Sequence, residues 1–551
     1  MQKILFIVPP HIRFEDYINP LSNSKRIKKG DKYFGSLLTD MPQGIFSISS
    51  YIKQFYNDLE IELIDFNIVL NKLKEFNYDS FKNFFTAYLH DIKYIPDVIG
   101  ISSLFINSFQ STVDIANICK NKFPNSIIVS GGCNAQNMSK EILESCAGLD
   151  ALCYGEGEIP FKNLLMFKSN KVKKLYLKNS LYWITKEDIS DHIYSFIGNL
   201  DEIPFYDYGI CNVEDYDINP AITSYVGVKD KEKNFHVSTS RGCPNKCSFC
   251  ASNTVHGRKL RYYSIGRIKQ DFLRLKEQFG AKSLVFQDDH LMKNKKRAFE
   301  ILEYTKSIGL NVVLQNGLAL HTLDRECLIK LKEIGINHLM LPIESGSDRV
   351  LNKLMHKPLT TKIIKQVTED CRELGFYTDA NILIGSPGET KEDINESISF
   401  LKTLPVNWYI ILIVSPLSGS EVFKICKENN YFKYNYMECE FKRAIIETQE
   451  FTTEYIQEKS YLMNLELNFI NNADLRLGDY ETALKGFENV IVSRHDHAFA
   501  NFYIAECYKK MKQKEKNLLY YNKAKELFQQ EEWKKYVREL NFTEELLFNE
   551  N

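Results

Sequence analysis

The sequence is short of the features that would place it in several common classes. Its 70 basic and 71 acidic residues leave a formal net charge of -1, which excludes a chain-wide pull toward nucleic acid or anionic lipid. No apolar run approaches the ~20 residues of a membrane-spanning helix. The opening MQKILFIVPPHIRFED sets prolines and charges straight after a short apolar strand, unlike a secretion signal. Thirteen cysteines in 551 residues are too sparse for a disulfide framework, and in a reducing compartment spaced thiols mean metal binding or burial. These absences predict a cytoplasmic protein with neither a membrane nor a nucleic-acid partner. What the chain does hold is 44% hydrophobic residues, enough for three folded units with cores of their own.

Within residues 1–160, KILFIVP, LEIELIDF, VIGISSLF, SIIVSGG and ALCYGEGE are short apolar runs ended by Gly, Ser or Pro. Amphipathic segments such as GIFSISSYIKQFYN and STVDIANICKNKF lie between several of them. The alternation predicts an α/β, doubly wound (Rossmann-like) parallel sheet with its ligand crevice at the carboxyl ends of the strands. Ser102, Ser103, Gly131, Gly132, Gly155, Glu156 and Gly157 fall at those ends. Small residues there either admit a large ligand to the backbone or simply make tight turns. Residues 161–235 show no clear period and read as a connector.

From 236 to 440 the alternation resumes. HVSTS, SLVFQDD, NVVLQNG, HLMLPIES, TDANILIG and YIILIVSPL, separated by helical patterns, predict a partial (β/α)6 barrel with its chemistry at the carboxyl-terminal rim. Residues 441–551 are helical in pattern throughout. There GDYETALKGFENVI aligns with KQKEKNLLYYNKAK at an offset of 34 residues, setting Gly478 over Lys512 and Leu484 over Leu518. That period is the mark of a tetratricopeptide (TPR) repeat, the plain alternative being a helical cap.

Three of the cysteines stand apart from the rest. Cys243, Cys247 and Cys250 lie within eight residues, in a C-x3-C-x2-C spacing on the loop after the first barrel strand. Soft thiolates in a tight loop suit zinc or an iron-sulfur cluster. A structural zinc site wants a fourth ligand, and no second cysteine pair follows. Three thiols on a four-iron cube leave one iron open, as a catalytic site requires. The other ten cysteines read as packing.

CPNKCSFC closely resembles the signature of the radical S-adenosylmethionine (radical SAM) enzymes, with Phe249 as the aromatic before the last cysteine. The resemblance implies that Cys243, Cys247 and Cys250 hold a 4Fe-4S cluster. It also implies that the open iron chelates S-adenosylmethionine, and that an electron supplied by a flavodoxin or ferredoxin type donor releases a 5′-deoxyadenosyl radical. FQDD brings Asp288 and Asp289 to the place where the family sets an acceptor for the methionine amino group, without the two glycines usual there. IESGSDRVLNKLMHK resembles the fourth-strand segment of the cobalamin-linked subgroup, which assigns Glu344 and Ser345 to the ribose and methionine portions. A salt bridge or a cap is the plain alternative for Glu344. ILIGSPGET resembles the fifth-strand motif along the adenine, with Gly385 giving close approach.

The first domain resembles the cobalamin-binding domains fused ahead of such barrels. Ser102, Ser103, Gly131, Gly132 and the loop of Gly155, Glu156 and Gly157 are then expected around the corrin. The D-x-H-x-x-G motif of histidine-ligated cobalamin domains is replaced by DFNIV, with Asn67 at the histidine's place, so the expectation is base-off, His-off cobalamin. The resemblance implies a cobalamin-dependent methyltransferase acting on an unactivated carbon or a phosphorus. Ring formation or rearrangement without methyl transfer is the enzymatic alternative, and a TPR adaptor with a degenerate enzyme module the non-enzymatic one. The concave face of stacked repeats suits a peptide or a carrier-protein-bound substrate.

Overall fold

The computed structural model describes residues 1–20, 26–37, 39–187, 191–216, 233–314, 316–439 and 441–542; residues 188–190 and 217–232 of the connector lie outside them. The first strand, β1 (Gln2–Val8), is buried along nearly its whole length, which explains why its sequence is a continuous apolar run instead of an alternating one. After a short hairpin, β2 (Arg26–Lys29) and β3 (Lys32–Gly35), come β4 (Leu59–Asp65), β5 (Val98–Ser102), β6 (Ile127–Gly131), β7 (Ala151–Cys153) and β8 (Trp183–Ile184). They form one sheet in the order β4-β1-β5-β6-β7-β8, parallel except for the last pair. The chain leaves β1 toward β4 on one side and then crosses to β5 on the other. The switch point of this doubly wound sheet therefore lies between the carboxyl ends of β1 and β5, where such sheets open a ligand crevice.

The six strands expected of the barrel are all present. β9 (Asn234–Val237), β12 (Ser283–Phe286) and β13 (Asn311–Leu314) form a parallel trio, and between the first two lies a small antiparallel pair, β10 (Ser240–Arg241) and β11 (Arg261–Tyr262). β14 (His338–Glu344), β15 (Tyr377–Ile384) and β16 (Trp408–Ile413) form a second parallel trio. Amphipathic helices with firm ends connect them. Ser264 caps the helix Ile265–Phe279 and Gly280 closes it in the left-handed conformation; a Thr390 and Asp393 capping box starts the helix Lys391–Leu401.

Two compact units result. One comprises Met1–Gly317 with Pro416–Asn430 and Tyr434–Glu440, and so holds the six-stranded sheet and the first trio. The other comprises Leu318–Ser415, Tyr431–Lys433 and Phe441–Asn551, and so holds the second trio and the terminal helices.

Those terminal helices, Tyr480–Ser493, Ala498–Lys510, Lys514–Phe528 and Glu531–Glu539, pack around Phe487, Phe499, Phe528 and the buried Trp533. The 34-residue offset is visible in the backbone, because Gly478 (φ 78°) and Lys512 (φ 61°) both make the left-handed turn ahead of a helix. Among the described residues no helix is long and apolar enough to cross a membrane.

Candidate active site

The cysteine loop begins where β10 ends. Gly242 takes a φ of 95°, and a Cβ there would stand 2.6 Å from the Lys259 carbonyl oxygen, so only glycine lets the chain turn into Cys243. All thirteen cysteines are free thiols, and Cys243, Cys247 and Cys250 are partly exposed. The loop is tightened by the Cys250 N–H donating to the Cys247 carbonyl at 3.2 Å and the Cys243 N–H to that of Gly257 at 3.3 Å. Burial first, then the charges of Asp289, Cys250 and Cys247, push the Cys243 thiol up to about 11. A cationic cluster reverses that repulsion, so the donor set fits an iron-sulfur group chemically. Among the described residues no three such side chains already stand closed around a metal position. Phe249 is half-buried on the same loop.

Asp288 and Asp289 divide two tasks. Asp288 is buried and accepts from the Thr239 N–H, the Thr239 hydroxyl at 2.8 Å and the Ser240 hydroxyl at 2.5 Å, so it fixes the strand that leads into the cysteines. Burial raises the Asp289 carboxyl, while His256, the Ser252 side chain and the Gly242 N–H favour its charged form. Asp289 therefore faces the cysteine loop, and Asp288 supports it from behind.

Of the ten cysteines expected in packing, eight are buried and two, Cys133 and Cys211, are partly exposed. Cys133 lies beside the cysteine loop, with its Sγ 3.3 Å from the Thr254 hydroxyl.

The loop after β7 is locked to the flanks of the cysteines by charge. Glu156 accepts from Arg261 at 2.6 and 2.9 Å, lies 2.8 Å from His256 Nδ1 and 3.3 Å from Arg241. Arg241 also pairs with Glu158 at 2.7 Å, which accepts from the Ser47 hydroxyl at 2.5 Å. Burial works against the charged carboxylate of Glu156, but Arg241, His256 and Arg261 overcome it and hold the group far below the usual range. Sequence patterning missed Arg241 and Arg261, whose only signal was position around the cysteine signature, and met His256 only as a nearby imidazole six residues beyond Cys250, whereas the structure sets it on Glu156.

The residues expected around the corrin divide in two. Gly155 and Gly157 are closed over by protein, since a Cβ would stand 2.9 Å from the Tyr194 ring and 2.7 Å from Ile48. Ser103 is fully buried, its carbonyl accepting from the Asn134 and Ala135 N–H groups. Asn67 is also buried, its amide donating to the Pro9 carbonyl at 3.2 Å and to Asp65 at 2.9 Å. Ser102, Gly131 and Gly132 remain partly exposed, and after β5 the side chains of Leu104 (46%) and Phe105 (44%) face solvent. Beside them Asn107 Oδ1 and Ser108 Oγ are buried without a hydrogen-bond partner. Exposed apolar surface at the switch point suits a large ligand.

In the second unit Glu344 ends β14 at a bulge, with a φ of 69° that strains a non-glycine residue. Lys357 pairs with it at 2.7 Å, and Ser345 beside it is buried. Gly385 turns away from the end of β15 with a φ of 87°, and its N–H and that of Ser386 donate to the buried Glu389 at 2.7 and 3.0 Å. A Cβ at Gly385 would meet Ile456 at 3.1 Å.

Residues 237–401 match the radical SAM superfamily and residues 88–165 the B12 binding domain. The chain is 28% identical over 377 residues to an uncharacterized methyltransferase of Pyrococcus horikoshii, covering 67% of this chain and 79% of that one. It is 28% identical over 358 residues to the cytidylyl-2-hydroxyethylphosphonate methyltransferase of Streptomyces wedmorensis, covering 60% of this chain and 66% of the relative. Among solved structures, the cobalamin-dependent S-adenosylmethionine radical enzyme OxsB, with aqua-cobalamin and S-adenosylmethionine bound, superposes with a TM-score of 0.59 at 13% identity, over 100% of this chain and 82% of that chain. This chain therefore joins a B12-binding domain to a radical SAM domain, with a helical, TPR-like region after them.

Proposed function

We propose that this chain is a cobalamin-dependent radical SAM methyltransferase acting on an unactivated carbon or phosphorus centre. The observation that carries the reading is a single strand-end loop bearing the free thiols of Cys243, Cys247 and Cys250, in a chain whose preceding domain matches B12 binding domains. Once bound, a 4Fe-4S cluster supplies the electron that splits S-adenosylmethionine into methionine and a 5′-deoxyadenosyl radical, and a corrinoid carries the methyl group.

The chain's own residues hold and orient these groups. Cys243, Cys247 and Cys250 would ligate the cluster. Asp289, at the edge of that loop, is the acceptor offered to the methionine amino group, with Asp288 fixing the strand beneath it. Glu344 is assigned to the ribose hydroxyls, held in its strained conformation by Lys357, with Ser345 next to it. Gly385 lets the adenine approach the backbone. Phe249 covers the cysteine loop and helps keep water out.

The electron donor is a low-potential protein of flavodoxin or ferredoxin type, and the reaction takes place in the cytoplasm. The helical repeats are the proposed docking face for a peptide or carrier-protein-bound substrate.

The test is anaerobic reconstitution with iron and sulfide, followed by S-adenosylmethionine and a low-potential reductant. The wild-type chain should release 5′-deoxyadenosine; Cys247→Ser should release none while its circular dichroism stays that of the parent. A reconstituted wild-type chain that releases no 5′-deoxyadenosine overturns the radical reading.

A further inference from the structure

The cysteine loop presents positive charge to solvent. From Cys243 to Leu260, and again from His192 to Leu200, the chain holds no acidic residue. Lys246, between Cys243 and Cys247, and Arg258 and Lys259, on the segment that returns past the loop, are exposed. Among the described residues none of these three side chains forms an ion pair. The carboxylates close behind them are spoken for. Glu156 is neutralised by Arg241, Arg261 and His256, and Asp289 is engaged by the Ser252 side chain and the Gly242 N–H.

Cations alone would make an ordinary solvated face, but here aromatic rings stand among them. Ile193, Tyr194 and Phe196 face solvent, and the rings of Tyr194 and Phe196 stack 5.2 Å apart with 5° between their planes. Phe196 in turn lies against the segment beside the cysteines. The Arg261 guanidinium stands over its ring at 4.8 Å, and a Cβ at Gly257 would meet the ring at 3.0 Å. The Gly257 carbonyl accepts from the Cys243 N–H at 3.3 Å, and Arg258 donates to the Asn245 carbonyl at 2.5 Å. Rings, cations and thiol-bearing backbone therefore form one continuous surface. An apolar centre with a charged rim is the anatomy of a protein interface.

We propose that this surface, Tyr194 and Phe196 with Lys246, Arg258 and Lys259 around them, is the docking site of the low-potential electron donor, and that the donor meets it with acidic side chains. The assignment rests on the radical part of the proposed function and adds the place where the electron enters. One electron passes from the donor, which is oxidised, to the cluster ligated by Cys243, Cys247 and Cys250, and no bond forms or breaks at the surface. Electron-transfer encounters are small, below ~1,200 Å² of buried surface, so a patch of two stacked rings and a few cations is enough for one. Opposite charge raises the rate of such encounters and fixes their register.

The probe is an acidic flavodoxin, compared with reduced methyl viologen, a small cation that the same charges do not attract. On the reconstituted full-length chain, Lys246→Glu combined with Lys259→Glu should slow flavodoxin-driven release of 5′-deoxyadenosine about ten-fold. Viologen-driven release and the cluster's absorbance should stay those of the parent. Binding of oxidised flavodoxin, read by calorimetry, should weaken by a similar factor, which damage to the cluster loop alone would not produce. In the parent chain, raising the ionic strength from ~20 to ~200 mM should slow the flavodoxin-driven rate several-fold and leave the viologen-driven rate unslowed. Equal flavodoxin rates and affinities in parent and variant, or a parent chain that viologen drives and flavodoxin does not, overturn the assignment while leaving the radical reading intact. Charge reversal that instead releases bound single-stranded RNA, or splits a dimer of the chain in sedimentation, gives the surface to another occupant and overturns it too. No 5′-deoxyadenosine with either reductant overturns the radical reading, and the docking role with it.

Discussion

Two ends of one sheet rim are built in opposite ways. At β7 the strand-end loop is closed by charge and packing: Glu156 is held by Arg241, Arg261 and His256, and Tyr194 and Ile48 fill the space over Gly155 and Gly157, with Ser195 Oγ next to them buried without a hydrogen-bond partner. At β1 and β5 the rim is open, with Leu104 and Phe105 facing solvent. The closed end joins the first domain to the loop that bears the cysteines, so its polar groups hold structure. The open end leaves apolar surface at the place where the proposed corrinoid would sit.

The contrast breaks most visibly at Glu156. Glu156→Gln leaves Arg261 buried without its carboxylate and Arg241 with Glu158 alone, and should cost about 3–5 kcal/mol. Urea unfolding of the full chain measures it, and a loss below about 1 kcal/mol would mean the network does not lock the loop.

Glu389 in the second unit sharpens the point, because it is buried with backbone donors and, among the described residues, no ion pair, Arg349 acting on it only from a distance. Burial lifts its carboxyl to about 7, against the pull of the Ser386 and Gly385 N–H groups. The unfolded chain titrates near ~4.3, so between there and about 7 the folded state binds more protons, and stability falls as pH rises through that window, by up to ~4 kcal/mol. Glu389→Gln should flatten the dependence and gain relative to the parent at pH 8. Equal slopes for parent and variant between pH 5 and pH 8 would show the carboxyl to be ionised throughout. Glu156, held low by its arginines, should add no dependence in the same window.

How much of this was legible in the sequence follows from what each signal depends on. The parallel strands of the six-stranded sheet and of the two trios were legible because buried strands write continuous apolar runs, and the cysteine loop because its three thiols come from eight adjacent residues, whereas the two-residue β8 fell in the stretch read as a connector. The lock at Glu156 was not, since Arg241 and Arg261 stand 85 and 105 residues away in the chain and no local pattern links them. Asp288 and Asp289 were found as a pair, but adjacency in sequence could not say which faces the cysteines.

On the open rim, Phe105→Ala should be mild for the empty protein and marked for the loaded one. The ring is nearly half exposed, so its loss should cost about 1 kcal/mol of folding stability, well under the price of a buried phenylalanine. If it also flanks the corrinoid, cobinamide affinity should fall several-fold, which absorbance titration reads. A larger stability loss with unchanged uptake would make Phe105 part of the core and the crevice narrower than drawn.

The smallest effect tests the same contrast in the helical repeats. Leu484 in the inner repeat is 9% exposed, while its counterpart Leu518 is 59% exposed, so the second copy presents an unfinished face. The turn ahead of it is strained as well: Lys512 takes a φ of 61° where Gly478 occupies the aligned position at 78°. Glycine adopts that conformation without a steric penalty but loses more freedom on folding, so Lys512→Gly should gain a net of about 0.5 kcal/mol. A thermal shift upward by a degree or two, with helicity unchanged, is the expected reading. A loss of stability would mean that the Lys512 side chain contributes contacts worth more than the strain, and the two turns would then be equivalent in backbone path only.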